Sequence, residues 1–198
     1  LQKSRHLMGL MGLACQIAYM LWMKRNRFVL EEFEIENAQV IKYRGASNSL
    51  TIPEGVTSIR NNAFSDCNTL VKISFPSSLR VVGEFAFNNC AALEEVHVAS
   101  LADWLSIDFQ GFRSNPLSNG ARLFVSGREA REITIPKGFA CLPQRAFEGC
   151  STLESVALPL DLLCIGKLAF CSCTALKEVR FSAENCEGEK GGSTTALQ

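Results

Sequence analysis

Histidine is almost absent from this chain of 198 residues, which contains only His6 and His97. The sequence also lacks a phosphate-binding loop, a GxSxG motif and an HExxH zinc motif. His97 has no Asp or Glu predicted to orient it, and Cys90, close in sequence, is expected to point into the core. These absences predict that the chain is not an enzyme and uses no cofactor or metal ion.

No charge of one sign prevails, because 20 Lys and Arg residues balance 20 Asp and Glu residues. Non-specific nucleic-acid binding requires a basic surface that displaces counterions from phosphate, so we expect no nucleic-acid partner. Hydrophobic residues make up 47% of the chain, which excludes a wholly disordered protein. The length suits one domain with a sizeable core.

Long apolar runs are scarce, and the most conspicuous covers residues 7–23, where the only strongly polar residue is Gln16. This length is at the low end of what crosses a bilayer, and the basic residues on both sides leave its orientation undecided. We assign residues 1–29 to an apolar N-terminal segment and predict membrane anchoring through residues 7–23. A signal peptide, a buried helix and a mis-assigned start are the alternatives.

The sequence does contain an internal repeat, with a period of about 23 residues. An Ala-Phe pair is followed by Cys and then by Leu at equal intervals, and the pairs end at Phe64, Phe87, Phe147 and Phe170. Upstream, each unit has a short alternating strand that ends at proline, namely at Pro53, Pro76, Pro136 and Pro159. The apolar side chains of one unit do not offset the entropy of ordering it, so the units must stack.

Stacking of these units predicts an α/β repeat solenoid. One side is a curved parallel β-sheet, the other side carries short helical turns with the Ala-Phe pairs, and the phenylalanines align in a column. We assign residues 50–182 to the solenoid, residues 30–49 to a β-hairpin that caps its N-terminal end, and residues 183–198 to a disordered tail.

The period is broken between Phe87 and Phe147, which lie more than two periods apart. We interpret this stretch as one elongated repeat with an irregular insertion at residues 99–127, from which a loop at residues 111–120 bulges. Phe112 and Arg113 near the tip form a second candidate surface, since aromatic and arginine side chains make good interface anchors. Trp104 is expected to pack in the core of the insertion.

The segment IPEGVTSIRNNAFSDCNTL, from Ile52 to Leu70, resembles the repeat of the BspA-like leucine-rich-repeat family, which reads IP..V..I...AF..C..L. The insertion at residues 103–127 and the lead-in FEIENAQVIKYRGASNSLTIP are also similar to parts of members of that family. The resemblance covers residues 32–182. Arg60 and Pro143 depart from it, because glycine is usual there, which puts the local turn geometry in question.

The resemblance implies leucine-rich repeats in a surface or secreted bacterial protein that adheres to host proteins or other cells, without catalytic residues. We therefore expect a non-enzymatic binding or adhesion module that recognises a protein or glycan partner at the cell surface. Because other members of the family lack an export signal, a cytoplasmic scaffold for protein–protein interaction is the alternative.

Ligand binding is expected on the concave sheet face, where short polar side chains surround one aromatic residue and no enclosed pocket is predicted. The alternative is a sheet face that is merely soluble. The candidate ligand-binding residues at and beside the outward strand positions are Lys72, Ser74, Glu95, His97, Phe124, Thr134 and Arg180.

Six of the nine cysteines fall into two groups. Those in the repeat motif, Cys67, Cys90, Cys150 and Cys173, are explained as small buried groups in a ladder. Cys141 and Cys164 occupy one repeat position on neighbouring rungs, where strand spacing brings Cα atoms to about 5 Å, within the range of a disulfide. We expect this disulfide in an oxidising compartment. Cys171 and Cys173 have no second pair or nearby histidine that would complete a zinc site.

Overall fold

The computed structural model describes residues 32–182. The predicted N-terminal segment at residues 1–29, with its proposed membrane-anchoring stretch, lies outside the described residues. So does the predicted tail at residues 183–198.

The described chain is mostly sheet, with little helix. The strands are β1 (Phe33–Glu36), β2 (Gln39–Tyr43), β3 (Ser49–Thr51), β4 (Ser58–Ile59), β5 (Lys72–Ser74), β6 (Val81–Val82), β7 (Glu95–Val98), β8 (Asp108–Phe109), β9 (Arg122–Val125), β10 (Arg128–Glu129), β11 (Glu132–Thr134), β12 (Cys141–Leu142), β13 (Ser155–Pro159), β14 (Cys164–Ile165) and β15 (Glu178–Ser182). Its regular helical elements within residues 32–182 are α1 (Leu101–Leu105) and a 3₁₀ helix (Pro116–Asn119).

The main side of the solenoid consists of two parallel sheets, β3-β5-β7-β9 and β11-β13-β15. Equivalent positions of successive repeats are register partners, so that Leu50 lies opposite Ile73, and Ile73 opposite Val96. All three side chains are buried, because the alternation of side chains along a strand places them on the inner face. The predicted repeat solenoid with a parallel sheet is confirmed, and its curvature stays a prediction.

The second side carries two-residue strands and turns where short helical turns were predicted. Strands β4 and β6 pair in parallel, as do β12 and β14, and each Ala-Phe segment that follows forms turns. The N–H groups of Phe64 and Asp66 donate to the carbonyls of Ala86 and Asn88 in the next repeat, at 2.9 and 2.8 Å. Positive φ angles at Asn62 and Asp66 interrupt any right-handed helix. The prediction of helical turns is therefore wrong for the described repeats.

An antiparallel hairpin of β1 and β2 precedes the first repeat, with Phe33 opposite Tyr43, and β2 then pairs in parallel with β4. Both aromatic side chains are buried, and the rings of Tyr43 and Phe64 stack with centroids 5.4 Å apart. The hairpin thus continues the core of the first repeat. Its role as the N-terminal cap stays a prediction.

The core phenylalanines form two stacked pairs, which corrects the prediction of a single column. Phe64 and Phe87 stack with centroids 5.1 Å apart, and Phe147 and Phe170 stack at 5.5 Å. The insertion separates the two pairs, because it places its own residues where the turn of another repeat would stack.

The insertion joins the two halves of the solenoid. Trp104 is fully buried, packs 6.1 Å from Phe75 and donates its indole N–H to the carbonyl of Ala146 at 2.8 Å. The side-chain amide of Asn115 donates to the same carbonyl at 3.2 Å, and that of Asn119 donates to the carbonyl of Phe87 at 2.7 Å. In regular repeats the equivalent alanine carbonyl accepts a backbone N–H and the equivalent phenylalanine carbonyl accepts a cysteine thiol, so these side chains replace both donors.

Burial also corrects the prediction of a loop that bulges at residues 111–120. Ser114, Asn115 and Leu117 are fully buried, so only part of this segment faces solvent. The N–H of Leu117 is capped by the Asn115 side chain, which starts the 3₁₀ helix against the core.

Glycine is needed at positions 83 and 166 because of close backbone approach. A Cβ at Gly83 would lie 2.6 Å from the backbone nitrogen of Asn61, and one at Gly166 would lie 2.6 Å from the carbonyl oxygen of Leu142. Arg60 and Pro143, which replace the usual glycine, do not have positive φ angles. These two departures therefore cause no left-handed strain.

Replacing Phe87 with alanine should lower the free energy of unfolding by about 3–5 kcal/mol, because the fully buried ring would leave a cavity. Urea denaturation of the purified variant measures this loss. Phe85→Ala is the matched control, since Phe85 is 36% exposed and should lose far less stability. Equal losses in the two variants would contradict a core built on the stacked phenylalanines.

Candidate ligand-binding face

Three neighbouring strands of the main side bring the polar candidate residues together. Across β5, β7 and β9, Lys72, Glu95 and Arg122 form one row of register partners, and Ser74, His97 and Phe124 form the next. All six are half-buried. We call these six residues the main-sheet patch. Arg122 lies in this patch but was not among the predicted site residues, although its strand position next to Phe124 could have indicated it.

Glu95 is the electrostatic centre of the main-sheet patch. Its carboxylate accepts a hydrogen bond from Nε2 of His97 at 2.9 Å, and it lies 3.6 Å from both Lys72 and Arg122. The hydrogen bond from His97, helped by the charges of Lys72 and Arg122, lowers the pKa of Glu95. The expectation that no acidic residue would orient His97 is wrong, because residues two apart on a strand point to the same face.

Phe124 forms the aromatic part of the patch. Its ring stacks on His97 with centroids 4.6 Å apart and planes 7° from parallel, and the Arg122 guanidinium lies 5.5 Å from the ring centroid. These contacts fix the aromatic and the charged groups before any partner arrives, which lowers the entropic cost of binding.

The other two candidate residues lie on a different sheet. Thr134 on β11 and Arg180 on β15 are separated by the buried Ala157 of β13. Strand β10 pairs antiparallel with β9 and occupies its edge, so β11 begins a new sheet. The structure therefore brings together five of the seven predicted residues, and Thr134 and Arg180 are not part of the main-sheet patch.

The second candidate surface is only partly exposed. Phe112 is 51% exposed and its ring meets that of Phe85 edge-to-face at 5.9 Å. Arg113 lies 5.2 Å from the Phe112 ring, but its guanidinium also donates to the carbonyl of Ser118 at 2.7 Å. Arg113 is thus tied to the insertion, whereas Phe112 remains open to a ligand.

Cys141 on β12 and Cys164 on β14 are register partners with Cα atoms 4.5 Å apart. Both side chains face solvent, and their sulfur atoms lie at bonding distance. This geometry is the one expected for equivalent positions of neighbouring repeats.

Six copies of the BspA-type leucine-rich repeat match the sequence, over residues 37–121 and 118–189. The chain belongs to the BspA-type leucine-rich-repeat family. Leucine-rich repeats of this kind generally serve to bind proteins and not to catalyse reactions. No curated protein sequence matches the chain significantly.

Solved structures of bacterial leucine-rich-repeat proteins are similar to this chain. A leucine-rich-repeat protein of T. pallidum is 23% identical, with 76% of this chain and 69% of that chain covered and a TM-score of 0.45. A leucine-rich cell surface protein of Faecalibacterium prausnitzii is 20% identical, with 77% and 53% covered and a TM-score of 0.47. The chain thus spans about half of the second protein. With TM-scores below 0.5, these similarities add no functional argument to the family match.

In this BspA-type solenoid, two cysteines of the repeat motif link neighbouring turns. The thiol of Cys90 donates to the carbonyl of Phe64 at 3.1 Å, and the thiol of Cys173 donates to the carbonyl of Phe147 at 3.1 Å. Burial raises the pKa of both thiols to about 12. They act as hydrogen-bond donors between turns, which is more than the space-filling role predicted for them.

Two other features are absent from residues 32–182. This part of the chain has no group of three or more His, Cys, Asp or Glu side chains placed to hold a metal ion. It also has no helix long and apolar enough to cross a membrane.

Alkylation with iodoacetamide at pH 8 should modify Cys171 rapidly and leave Cys90 and Cys173 almost unmodified. Cys171 is exposed, whereas a thiol with a pKa near 12 has only about one part in ten thousand as thiolate at this pH. Peptide mass spectrometry of the native protein measures each site, and the urea-denatured protein is the control in which all three react. Rapid native labelling of Cys90 would show that the thiol is not held between turns.

Proposed function

We propose that this chain is a non-enzymatic module that binds a partner protein at the bacterial cell surface through the main-sheet patch. The observation that carries the proposal is the stacked pair of His97 and Phe124 beside Arg122 and Glu95 on one sheet face. Aromatic and arginine side chains are the usual energetic centres of protein interfaces.

The composition of the patch favours a protein over a small molecule. Its charged groups, Lys72, Glu95 and Arg122, keep between about a quarter and two-fifths of their side-chain surface exposed, at 41%, 28% and 40%. An open face of this kind can present charges and one aromatic group to a broad partner surface, whereas small ligands are usually held in enclosed, apolar pockets.

We infer that Cys141 and Cys164 form a disulfide in the cell, which supports a location outside the cytoplasm. Structural disulfides persist in oxidising compartments and are rare in reducing ones. Both residues lie on the solvent side of β12 and β14, where packing gives no reason for two cysteines.

The triple variant His97→Ala, Arg122→Ala, Phe124→Ala should lose most of its capture of partner protein from extracts of extracellular matrix and cell surfaces. Removal of the aromatic pair and the adjacent guanidinium should weaken binding at least about a hundredfold, since each such anchor contributes about 1–2 kcal/mol or more. Quantitative mass spectrometry of the captured proteins measures the loss.

The matched control for that experiment is the double variant Thr134→Ala, Arg180→Ala on the neighbouring sheet, which should capture as much as the wild type. Equal capture by wild type and triple variant would exclude the main-sheet patch as the site. Detection of the full-length protein only in the soluble cytoplasm would instead favour the scaffold alternative.

Secreted protein should yield a Cys141–Cys164 cross-linked peptide in a non-reduced digest, and Cys141→Ser should lower the unfolding free energy. Closing a loop of 23 residues stabilises the folded state by about 3 kcal/mol. The control is wild type in reducing buffer, which should lose a similar amount, while the variant should not respond to reductant. Free thiols at both positions after secretion would refute the proposed disulfide.

A further inference from the structure

The second side of the solenoid contains a cleft that the main-sheet patch does not use. The sheet β1-β2-β4-β6-β8 ends at β8, and β12-β14 begins a separate sheet. At this break lies an open cleft of about 430 Å³, lined by Asn61, Glu84, Asp108, Gln110 and Gln144.

The lining of the cleft consists of three side-chain amides and two carboxylates. Gln144 donates to Asp108 at 3.2 Å across the break, and the Asn61 side-chain oxygen accepts the backbone N–H of Glu84 at 3.1 Å. Within residues 32–182, the carboxylate of Glu84 and the amide of Gln110 have no hydrogen-bond partner. The cleft therefore offers both donors and acceptors to a ligand that is rich in hydroxyl groups.

An exposed aromatic pair lies close in sequence to two residues of the cleft lining. Phe85 follows Glu84 and Phe112 lies two residues beyond Gln110, and their segments are held together by the N–H of Phe85, which donates to the carbonyl of Phe112 at 2.8 Å. The two side chains are 36% and 51% exposed. Their rings provide an apolar surface against which the C–H face of a sugar ring can pack.

The residue before each Ala-Phe pair has a left-handed backbone conformation, which is energetically unfavourable for the aromatic residue at position 85. The φ angle of Phe85 is 56°, and its equivalents Asn62, Arg145 and Leu168 have φ angles of 60°, 57° and 60°. The left-handed conformation is thus a property of the repeat, which asparagine accommodates and a bulky aromatic residue adopts only with strain. Phe85 packs edge-to-face against Phe112 and keeps 36% of its surface exposed, so its ring is open to contact with a ligand.

We propose that this cleft and its aromatic pair bind a neutral oligosaccharide. The amides and carboxylates would bond adjacent hydroxyl groups, and the phenylalanines would cover the apolar face of a sugar residue. The charged groups of the lining, Glu84 and Asp108, are both anionic, so sulfated or sialylated glycans are repelled. The site is independent of the protein partner proposed for the main-sheet patch.

Isothermal titration calorimetry of the full chain with laminarihexaose, mannohexaose, chitohexaose and a heparin hexasaccharide tests the proposal. At least one neutral sugar should bind, and heparin should not. Phe112→Ala and Gln110→Ala should each weaken binding on the order of tenfold, which corresponds to the loss of one ring or one hydrogen-bonding group. Both residues are exposed, so the variants should fold, as thermal denaturation can verify.

Phe124→Ala on the main-sheet patch is the matched control, and it should leave sugar binding unchanged. Three outcomes would overturn the proposal: no binding of any neutral sugar, binding of heparin alone, or sugar binding that is weakened by Phe124→Ala and not by Phe112→Ala. None of these outcomes depends on whether the main-sheet patch captures a protein.

Discussion

Backbone hydrogen bonds from each repeat to the next hold this solenoid together. A single repeat has only short strands and turns, which cannot satisfy their own N–H and C=O groups. Residues of the next repeat satisfy these groups, as when the N–H of Phe64 donates to the carbonyl of Ala86. The side chains that follow this register then stack as well, in the paired rings of Phe64 and Phe87 and in the thiol of Cys90.

The same constraint explains where the candidate sites lie. Residues that break the register of the repeats also end the sheets, because the next strand is no longer in register with the preceding one. The insertion does this twice: β10 closes the edge of β9 on the main side, and β8 has no pairing with β12 on the second side. The main-sheet patch ends on β9, at the first of these breaks, and the cleft lies at the second.

The hydrogen bond between Glu95 and His97, at the centre of the main-sheet patch, could have been predicted from the sequence but was not. Glu95 and His97 are two residues apart on one strand, so both point outward. Likewise, the neighbours of Phe124 follow from the register of β7 with β9, once it is known that β9 pairs in parallel with β7 after the insertion. The separation of Thr134 and Arg180 from that patch could not be foreseen, because it depends on a hairpin of β9 and β10 that the repeat does not contain.

The period, the inward-facing residues and the neighbouring positions of Cys141 and Cys164 follow from the amino-acid sequence alone, because a regular offset dictates which positions become register partners. The other features of the fold are determined by the tertiary structure and do not follow from the period. There, turns bonded to the next repeat take the place of helical turns, the insertion separates the two phenylalanine pairs, and Asn115 of the insertion is buried. These features depend on contacts between residues far apart in the chain, for which no local pattern gives a signal.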